Sequence, residues 1–262
     1  MTLMTAKKPF RSPGREAGVP GGARKATLFS GAAAVLLAAL LAIPTDATAQ
    51  AGPDGIAGEG FLWGQLAAPL GEFHDNVGLG GGGGLGGLLY LGDQRYAALR
   101  AEGSFIIYGA ETIRRPLSPT VPFVDVDVET TNSILAAGVG PQIFLSSGPV
   151  RPYIYGTVGL SYFVTQTSVK GDHDDEPIAS TTNFDDLNLS LSGGGGLAVL
   201  VHQGDVSVHL DLSAVYNHNG LAEYLTEGGL RELRGGGWTA DPIASNANLV
   251  TYRVGITIGP NW

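Results

Sequence analysis

The stretch Val250-Thr251-Tyr252-Arg253-Val254-Gly255-Ile256-Thr257-Ile258 lies near the end of the 262-residue chain and alternates between apolar and polar or small residues. Successive side chains of a strand point to opposite faces, so this alternation predicts a β-strand whose two faces meet different environments. The segment from Val206 to Ala214 repeats the pattern one strand earlier. The end of the chain is therefore predicted to be β-structure.

Six further segments with the same alternation precede these two. They cover 60–70, 77–91, 96–107, 135–145, 154–165 and 187–201. Three connections between the eight segments are short, at 92–94, 146–150 and 203–205, and three are long, at 111–130, 169–184 and 217–247. The first connection, 71–76, is brief but lies at the same end of the strands as the long connections. Glycine beside a polar residue in each short connection is typical of hairpin turns. The pattern predicts an up-and-down meander of eight strands.

The composition of the two faces indicates where this sheet lies. One face is rich in Leu, Val and Ile, and the other is mostly Gly, Ser, Thr, Asn and Ala; only 15% of all residues are charged. Backbone in lipid must be satisfied internally, which requires a closed sheet, and eight strands enclose an interior that side chains just fill. We therefore predict an all-β fold, an eight-stranded antiparallel up-and-down transmembrane β-barrel over residues 59–262. A soluble barrel that binds a ligand inside is the alternative fold.

The N-terminal segment has the features of an export signal. Basic residues are concentrated between Lys7 and Lys25, an apolar run covers 32–43, and Ala47-Thr48-Ala49 fits a cleavage site. We expect residues 1–49 to be a cleaved signal peptide and 50–58 to form a short N-terminal segment. Cleavage would remove six basic and two acidic residues, leaving 9 basic and 22 acidic residues and a net charge of −13. That charge argues against a nucleic-acid partner.

Aromatic and glycine residues give two further expectations. Aromatic girdles at the membrane interfaces are predicted from residues near strand ends and from two aromatics with the parity of the lipid face. The first group is Phe61, Trp63, Tyr90, Tyr96, Tyr108, Tyr153, Tyr162 and Tyr216, and the second is Tyr252 and Trp262. The glycine runs 80–84 and 193–196 lack the Lys and Ser/Thr of a phosphate-binding loop, so we expect them to permit a bend or close backbone approach.

Five charged or titratable residues have the parity of the barrel interior. They are Arg100, Glu102, His209, Asp211 and Arg253. Unpaired charge is unfavourable in a narrow lumen, so we expect a buried plug of salt bridges in which Asp211 lies near Arg253. The alternative is a proton relay or a gated conduction path.

The segment Val139-Gly140-Pro141-Gln142, followed by a turn and Arg151-Pro152-Tyr153-Ile154-Tyr155-Gly156, resembles a central hairpin of the OmpA-like outer-membrane β-barrel family. A last strand that ends near the aromatic Trp262 is similar to those of substrates of the barrel-assembly machinery. The resemblance implies a protein of the outer membrane of a Gram-negative-type bacterium, with outer-membrane lipids and the assembly machinery as partners.

Two local motifs suggest chemistry. Tyr216-Asn217-His218-Asn219-Gly220 faintly resembles the His-x-Ser-Asn stretch of barrel-type lipid A deacylases, but the serine is absent, so a nucleophile beside the base is missing. The acidic run Asp172-His173-Asp174-Asp175-Glu176 could hold Ca²⁺, although the spacing of an EF-hand is absent and such runs are usually solvated.

The sequence thus predicts a structural or surface-interaction protein that is not an enzyme. No catalytic, cofactor-binding or metal-ligating residue is assigned, and no cofactor is expected. The acidic loops are expected to meet an unidentified extracellular partner. A small-solute or ion channel and a lipid A-modifying enzyme are the alternatives.

Overall fold

The computed structural model describes residues 57–92, 94–118, 121–171, 177–226, 229–232 and 238–260. The predicted signal peptide, the acidic run 172–176 and Trp262 lie outside these residues. The strands are β1 (Gly58–Pro69), β2 (Gly80–Leu91), β3 (Ala97–Ser118), β4 (Val121–Phe144), β5 (Val150–Gly171), β6 (Pro177–Gln203), β7 (Val206–His218), β8 (Leu221–Tyr224), β9 (Leu230–Glu232), β10 (Trp238–Ala240), β11 (Ile243–Asn246) and β12 (Leu249–Pro260). One short helix, α1 (Glu72–Asn76), follows β1.

Eight of these strands form a closed antiparallel barrel. The order around the barrel is β1-β12-β7-β6-β5-β4-β3-β2, and β1 closes the ring by pairing with both β2 and β12. Every backbone edge within the closed part therefore has a neighbour, as a sheet surrounded by lipid requires. The predicted eight-stranded up-and-down barrel is confirmed.

The predicted alternation of faces is also confirmed. In β12, Tyr252 and Val254 are each 58% exposed on the outside, whereas Arg253 between them is 4% exposed and lies inside. All eight barrel strands place large apolar side chains on the outer surface. Examples are Leu62, Leu66, Leu89, Leu99, Phe105, Val139, Ile143, Ile154, Val158, Leu189, Leu191, Leu210, Leu212 and Val254. No helix in the described part of the chain is long and apolar enough to cross a membrane.

The long connections are largely strand, so their prediction as loops is wrong. The described residues of 111–130 extend β3 and β4, which pair out to Ser118 and Val121. The described residues of 169–184 extend β5 and β6, which pair out to Lys170 and Pro177. The alternating Val-Asp pairs of 124–128 have the strand period, but their acidity suggested a solvated loop. The segment 217–247 holds two small hairpins, β8 with β11 and β9 with β10.

The glycine runs make room for aromatic side chains in the interior. Trp63 lies opposite Gly84 and Phe61 opposite Gly86 in the pairing of β1 with β2. A Cβ on either glycine would collide with the ring of its partner, and a Cβ on Gly196 would lie 2.6 Å from the Tyr153 hydroxyl. The expected close approach is therefore confirmed, and the approaching atoms include aromatic rings as well as backbone.

A pair of single-methyl substitutions tests this packing. Gly84→Ala places a Cβ against the Trp63 ring and 2.6 Å from the Gly103 carbonyl oxygen, whereas a Cβ on Gly81 meets nothing within 4 Å. We expect Gly84→Ala to lower the free energy of unfolding by about 1–3 kcal/mol, the range for overpacking. Gly81→Ala is the matched control and should change it by under about 0.5 kcal/mol. Urea unfolding in detergent micelles measures both, and equal effects would contradict the steric role of Gly84.

Candidate functional site in the barrel interior

The Glu102 carboxylate lies at the centre of the interior and pairs with two arginines. Arg100 Nε donates to Glu102 Oε2 at 2.7 Å, and Arg253 Nη1 donates to the same oxygen at 3.1 Å. The three side chains come from β3 and β12 and are at most 8% exposed. The predicted inward parity of these residues is confirmed, and a carboxylate bridging two guanidinium groups satisfies charges that would be unfavourable alone.

Aromatic rings and neutral polar groups surround this ion pair. The Arg100 guanidinium carbon lies 4.1 Å from the ring centroids of both Phe61 and Tyr155, and that of Arg253 lies 4.7 Å from the Trp63 ring. Arg100 Nη1 also donates to Gln142 Oε1 at 2.7 Å. Planar guanidinium groups stack well on aromatic faces, so the rings stabilise the buried charges as well as filling the lumen.

Asp211 does not form the predicted ion pair with Arg253. The β7–β12 register places Asp211 opposite Gly255 and Arg253 opposite Ser213. The Asp211 carboxylate instead accepts hydrogen bonds from the Tyr153 hydroxyl at 2.7 and 2.9 Å. Arg253 pairs with Glu102 because side chains from strands that are not adjacent meet across the lumen. The alternation of residues along each strand predicts which side chains point inward, but it does not predict which of them pair.

A second buried ion pair lies nearer the short turns and was not assigned from the sequence. Arg151 Nη2 donates to Glu59 Oε2 at 3.0 Å, and Arg151 Nη1 donates to the Tyr90 hydroxyl at 3.2 Å. The Arg151 guanidinium lies 4.8 Å from the Phe144 ring centroid. The inward parity of Arg151, three residues before the outward Ile154, was the signal that could have found it.

The predicted aromatic girdles are wrong for five of their nine described members. Five of the aromatics named for them are buried inside the barrel: Phe61, Trp63, Tyr90, Tyr108 and Tyr153. Tyr96, Tyr216 and Tyr252 are the exposed ones, at 44%, 44% and 58%. Nearness to a strand end does not determine the face, and the apolar neighbours Leu62, Leu89 and Leu91 already take the outer face.

The sequence motif at the end of β7 has a structural role on its inner side. Asn219 Oδ1 accepts hydrogen bonds from Ser161 Oγ at 2.8 Å and Ser190 Oγ at 2.9 Å, and its amide donates to the Ala247 carbonyl at 2.9 Å. His218 is exposed. The asparagine thus connects β5 and β6 with Ala247, which lies between β11 and β12. Of the residues that resemble a deacylase motif, His218 is exposed and Asn219 is buried.

An apolar cap closes the end of the barrel opposite the short turns. Phe73 of α1 is fully buried, with its ring centroid 5.0 Å from that of Tyr224 and 5.7 Å from that of Tyr108. Phe163 packs edge-on against the same Phe73 ring at 6.3 Å. Gly71, at φ +56°, makes the turn from β1 into the helix. The short helix therefore positions one aromatic side chain over the lumen.

Little space remains between the two ends. The cavity around the Arg100 and Arg253 guanidinium groups has a volume of about 10 Å³, and one beside Glu102, Thr157 and Ser190 has about 20 Å³. A single water needs roughly 10–15 Å³ on this measure. Each of these two cavities therefore has room for about one isolated water.

The apolar outer surface and the filled polar interior together define the class. A soluble barrel places its apolar residues inside, whereas this barrel is apolar outside and charged inside, which is the arrangement of a transmembrane β-barrel.

The chain is similar in fold to solved structures of outer-membrane barrels. Ail, the attachment invasion locus protein of Yersinia pestis, is 11% identical, with 78% of this chain and 98% of Ail covered and a TM-score of 0.40. Neisserial surface protein A is 13% identical over 80% of this chain and 100% of that one, with a TM-score of 0.36. A major outer membrane protein of Thermus thermophilus is 15% identical over 77% and 98%, with a TM-score of 0.38. No family model and no curated protein matches.

Removing the central carboxylate tests the interior network. Glu102→Gln would leave Arg100 and Arg253 buried without their common counter-charge, and breaking a buried ion pair in this way destabilises by about 3–5 kcal/mol. We expect a loss of this size in the free energy of unfolding, measured with urea in detergent micelles. The control is Glu223→Gln at an exposed position of β8, where a change under about 0.5 kcal/mol is expected. Indistinguishable stabilities of the two variants would contradict the central role of Glu102.

Proposed function

We propose that this chain is an integral, non-enzymatic and non-conducting barrel of the outer membrane of a Gram-negative-type bacterium that presents a protruding β-sheet for contact with molecules outside the cell. The observation that carries this proposal is the contrast between a filled barrel and four greatly lengthened strands. The OmpA-like family, outer-membrane lipids and insertion by the barrel-assembly machinery remain the assignments favoured by the sequence.

The protruding sheet consists of β3, β4, β5 and β6 beyond the point where their barrel neighbours end. The pairing of β2 with β3 stops at Gly81 and Ile107, and that of β6 with β7 stops at Leu191 and His218. Beyond Ile107, β3 continues to Ser118. At roughly 3.3 Å per residue, the eleven residues from 108 to 118 are about 36 Å long, comparable to the hydrocarbon thickness itself. Strands of this length are not needed to cross a bilayer, which favours a role outside it.

The two edges of this sheet differ. At the β6 edge, the Glu223 amide of β8 donates to Asp186 Oδ2 at 2.8 Å, so the small hairpin lies against that edge. At the other edge, no described strand pairs with β3 beyond Ile107 on the side of β2. An edge with unpaired N–H and C=O groups is a template for an added strand. We therefore propose that an extended segment of a partner protein pairs with β3 over residues 109–113.

The channel alternative is disfavoured by the interior. The ion pairs, the stacked rings and the Phe73 cap occupy the lumen, and conduction would require the Glu102 network and the cap to move together. A lipid-modifying function is disfavoured because the described motif residue Asn219 is engaged in three structural hydrogen bonds.

Membrane integration and closure can be tested on the purified protein. We expect extraction from the outer-membrane fraction to require detergent, because the outer surface is apolar, and the band on a gel to shift on boiling. After insertion into a planar bilayer, the wild-type barrel should give no sustained discrete conductance. A large porin reconstituted in the same bilayers serves as the positive control. Release by salt or carbonate, or stable openings from pure protein, would contradict the proposal.

The surface-contact role can be tested by shortening one hairpin. Ala110 and Thr131 are paired, so residues 111–130 can be replaced by an Asn-Gly turn without disturbing the barrel. A random-peptide phage library is selected on the wild-type and shortened proteins in lipid nanodiscs. We expect peptides rich in β-branched residues to be enriched on the wild type and not on the variant, while both proteins keep the mobility shift on boiling. Enrichment of the same peptides on both proteins would overturn the assignment to this hairpin.

A further inference from the structure

Glu111 carries the only formal charge on the stretch of the β3 edge that is proposed to receive a partner strand. The residues of this stretch are Gly109, Ala110, Glu111, Thr112 and Ile113. Glu111 is partly buried, whereas Ala110 and Thr112 are exposed. Within the described part of the chain, the Glu111 carboxylate has no hydrogen bond and no ion pair. The open edge therefore presents a single negative charge without a counter-charge.

The neighbours of Glu111 inside the sheet are neutral. The β3–β4 register places Glu111 opposite Thr130, and Val128 and Asn132 are the next residues of β4 on the same face. Thr130 Oγ1 lies 3.0 Å from Thr167 Oγ1, so the threonine hydroxyl is engaged with β5. A cation at cross-strand distance from Glu111 is therefore left to the open side of β3, where no described strand lies beyond Ile107.

A cavity of about 500 Å³ lies at the base of this edge. The segments 76–79 and 107–110 line it together with Asn132 and Thr226, and none of these residues carries a formal charge. The pairing of β2 with β3 stops at Gly81 and Ile107, so the cavity separates β3 from the chain that leads into β2. This space can receive the end of an added strand, and its own lining supplies no cation for Glu111.

Charge also distinguishes between possible partners. Antiparallel pairing of two copies of this chain about the middle of 109–113 would place two Glu111 side chains opposite each other, and like charges in directly opposite positions destabilise a sheet. A cationic segment would instead form an opposite-charge pair at this position. The net charge of −9 favours the approach of such a segment as well.

Given strand addition at this edge, on which the inference rests, we propose that the partner segment is cationic and presents a lysine or arginine directly opposite Glu111. Directly opposite residues of an antiparallel pair have Cβ atoms about 4.5–5.5 Å apart, so the basic group can contact the carboxylate. The residues of the segment that face Ala110 and Thr112 lie on the other face of the sheet and need no charge. The ligand is thus an extended polypeptide with β-branched residues around one basic position.

The test repeats the phage selection in lipid nanodiscs on the wild type and on Glu111→Lys. We expect the wild type to enrich peptides with Lys or Arg at one fixed position among β-branched residues. Glu111→Lys should enrich peptides with Asp or Glu at that same position. Glu223→Lys changes an exposed carboxylate of β8 at the other edge of the sheet and should leave the preference for a basic residue unchanged. The mobility shift on boiling confirms that each variant is folded.

A double-mutant cycle measures the pair directly. The most enriched wild-type peptide is synthesised with Lys at the basic position and with Met there, and both peptides are titrated by calorimetry against the wild type and Glu111→Gln. Each single change should weaken binding about twofold to fivefold, and both together should weaken it no more than either alone. At about 1 M salt, where charges are screened within about 3 Å, the difference between the two proteins should shrink.

The outcomes separate this proposal from the surface-contact role. Peptides that require residues 111–130 but show no basic position would overturn the cationic partner and leave the surface contact standing, as would a basic preference that Glu111→Lys does not reverse. If no peptide requires residues 111–130, both proposals are overturned. Dimers of the wild type in detergent that the shortened variant does not form, measured by light scattering, would assign the edge to a second copy and overturn the cationic partner.

Discussion

The interior of this barrel depends on a balance of formal charge. Three arginines, Arg100, Arg151 and Arg253, and two carboxylates, Glu59 and Asp211, line one interior cavity of only about 10 Å³, and Glu102 supplies a third carboxylate beside Arg100 and Arg253. Glu102 takes two of the arginines, Glu59 takes the third, and Asp211 lines the same cavity as Arg100 and Arg253 while bound to the Tyr153 hydroxyl. In a low-dielectric lumen, removing Glu102 leaves Arg100 and Arg253 without their common counter-charge, and removing Glu59 leaves Arg151 without its own. The requirement that buried positive and negative charges match therefore limits which side chains can occupy the interior of the eight-stranded barrel.

Packing follows from the same restriction on space. Each arginine lies on an aromatic ring, and the large rings of β1 need glycine on the facing strand, as Trp63 needs Gly84 and Phe61 needs Gly86. Glycine in a strand normally weakens it because it packs no side chain. Here the ring of Trp63 or Phe61 covers the backbone of the facing glycine. The large ring therefore occupies the space that the glycine leaves empty. The high glycine content, 41 of 262 residues, partly reflects this exchange.

The sequence predicted the features that depend on period and missed those that depend on contacts across the lumen. Parity correctly placed Arg100, Glu102 and Arg253 inside, because a strand has two faces and Tyr252 and Val254 take the outer one. It could not pair them, since the distance between β3 and β12 in the ring is set by closure. The aromatic girdle was predicted from position along the strand, although the parity of Trp63 and Tyr90 indicated the interior. The hairpin extensions were missed because acidic, Thr-rich strands outside a membrane resemble loops in composition.

The strand lengths distinguish the closed barrel, which is long enough to cross a membrane, from the protruding sheet of β3 to β6, which is not needed for crossing it. A sheet edge left open outside the barrel invites unwanted pairing, and proteins usually protect such edges with proline, bulges or covering segments. The β6 edge is covered by β8, and the β3 edge carries a register shift between Ile107 and Gly109 and a proline at Pro116. These devices shorten the stretch of the β3 edge on which a strand could be added. An edge restricted in this way, rather than covered as on the β6 side, is what a binding surface on this sheet requires.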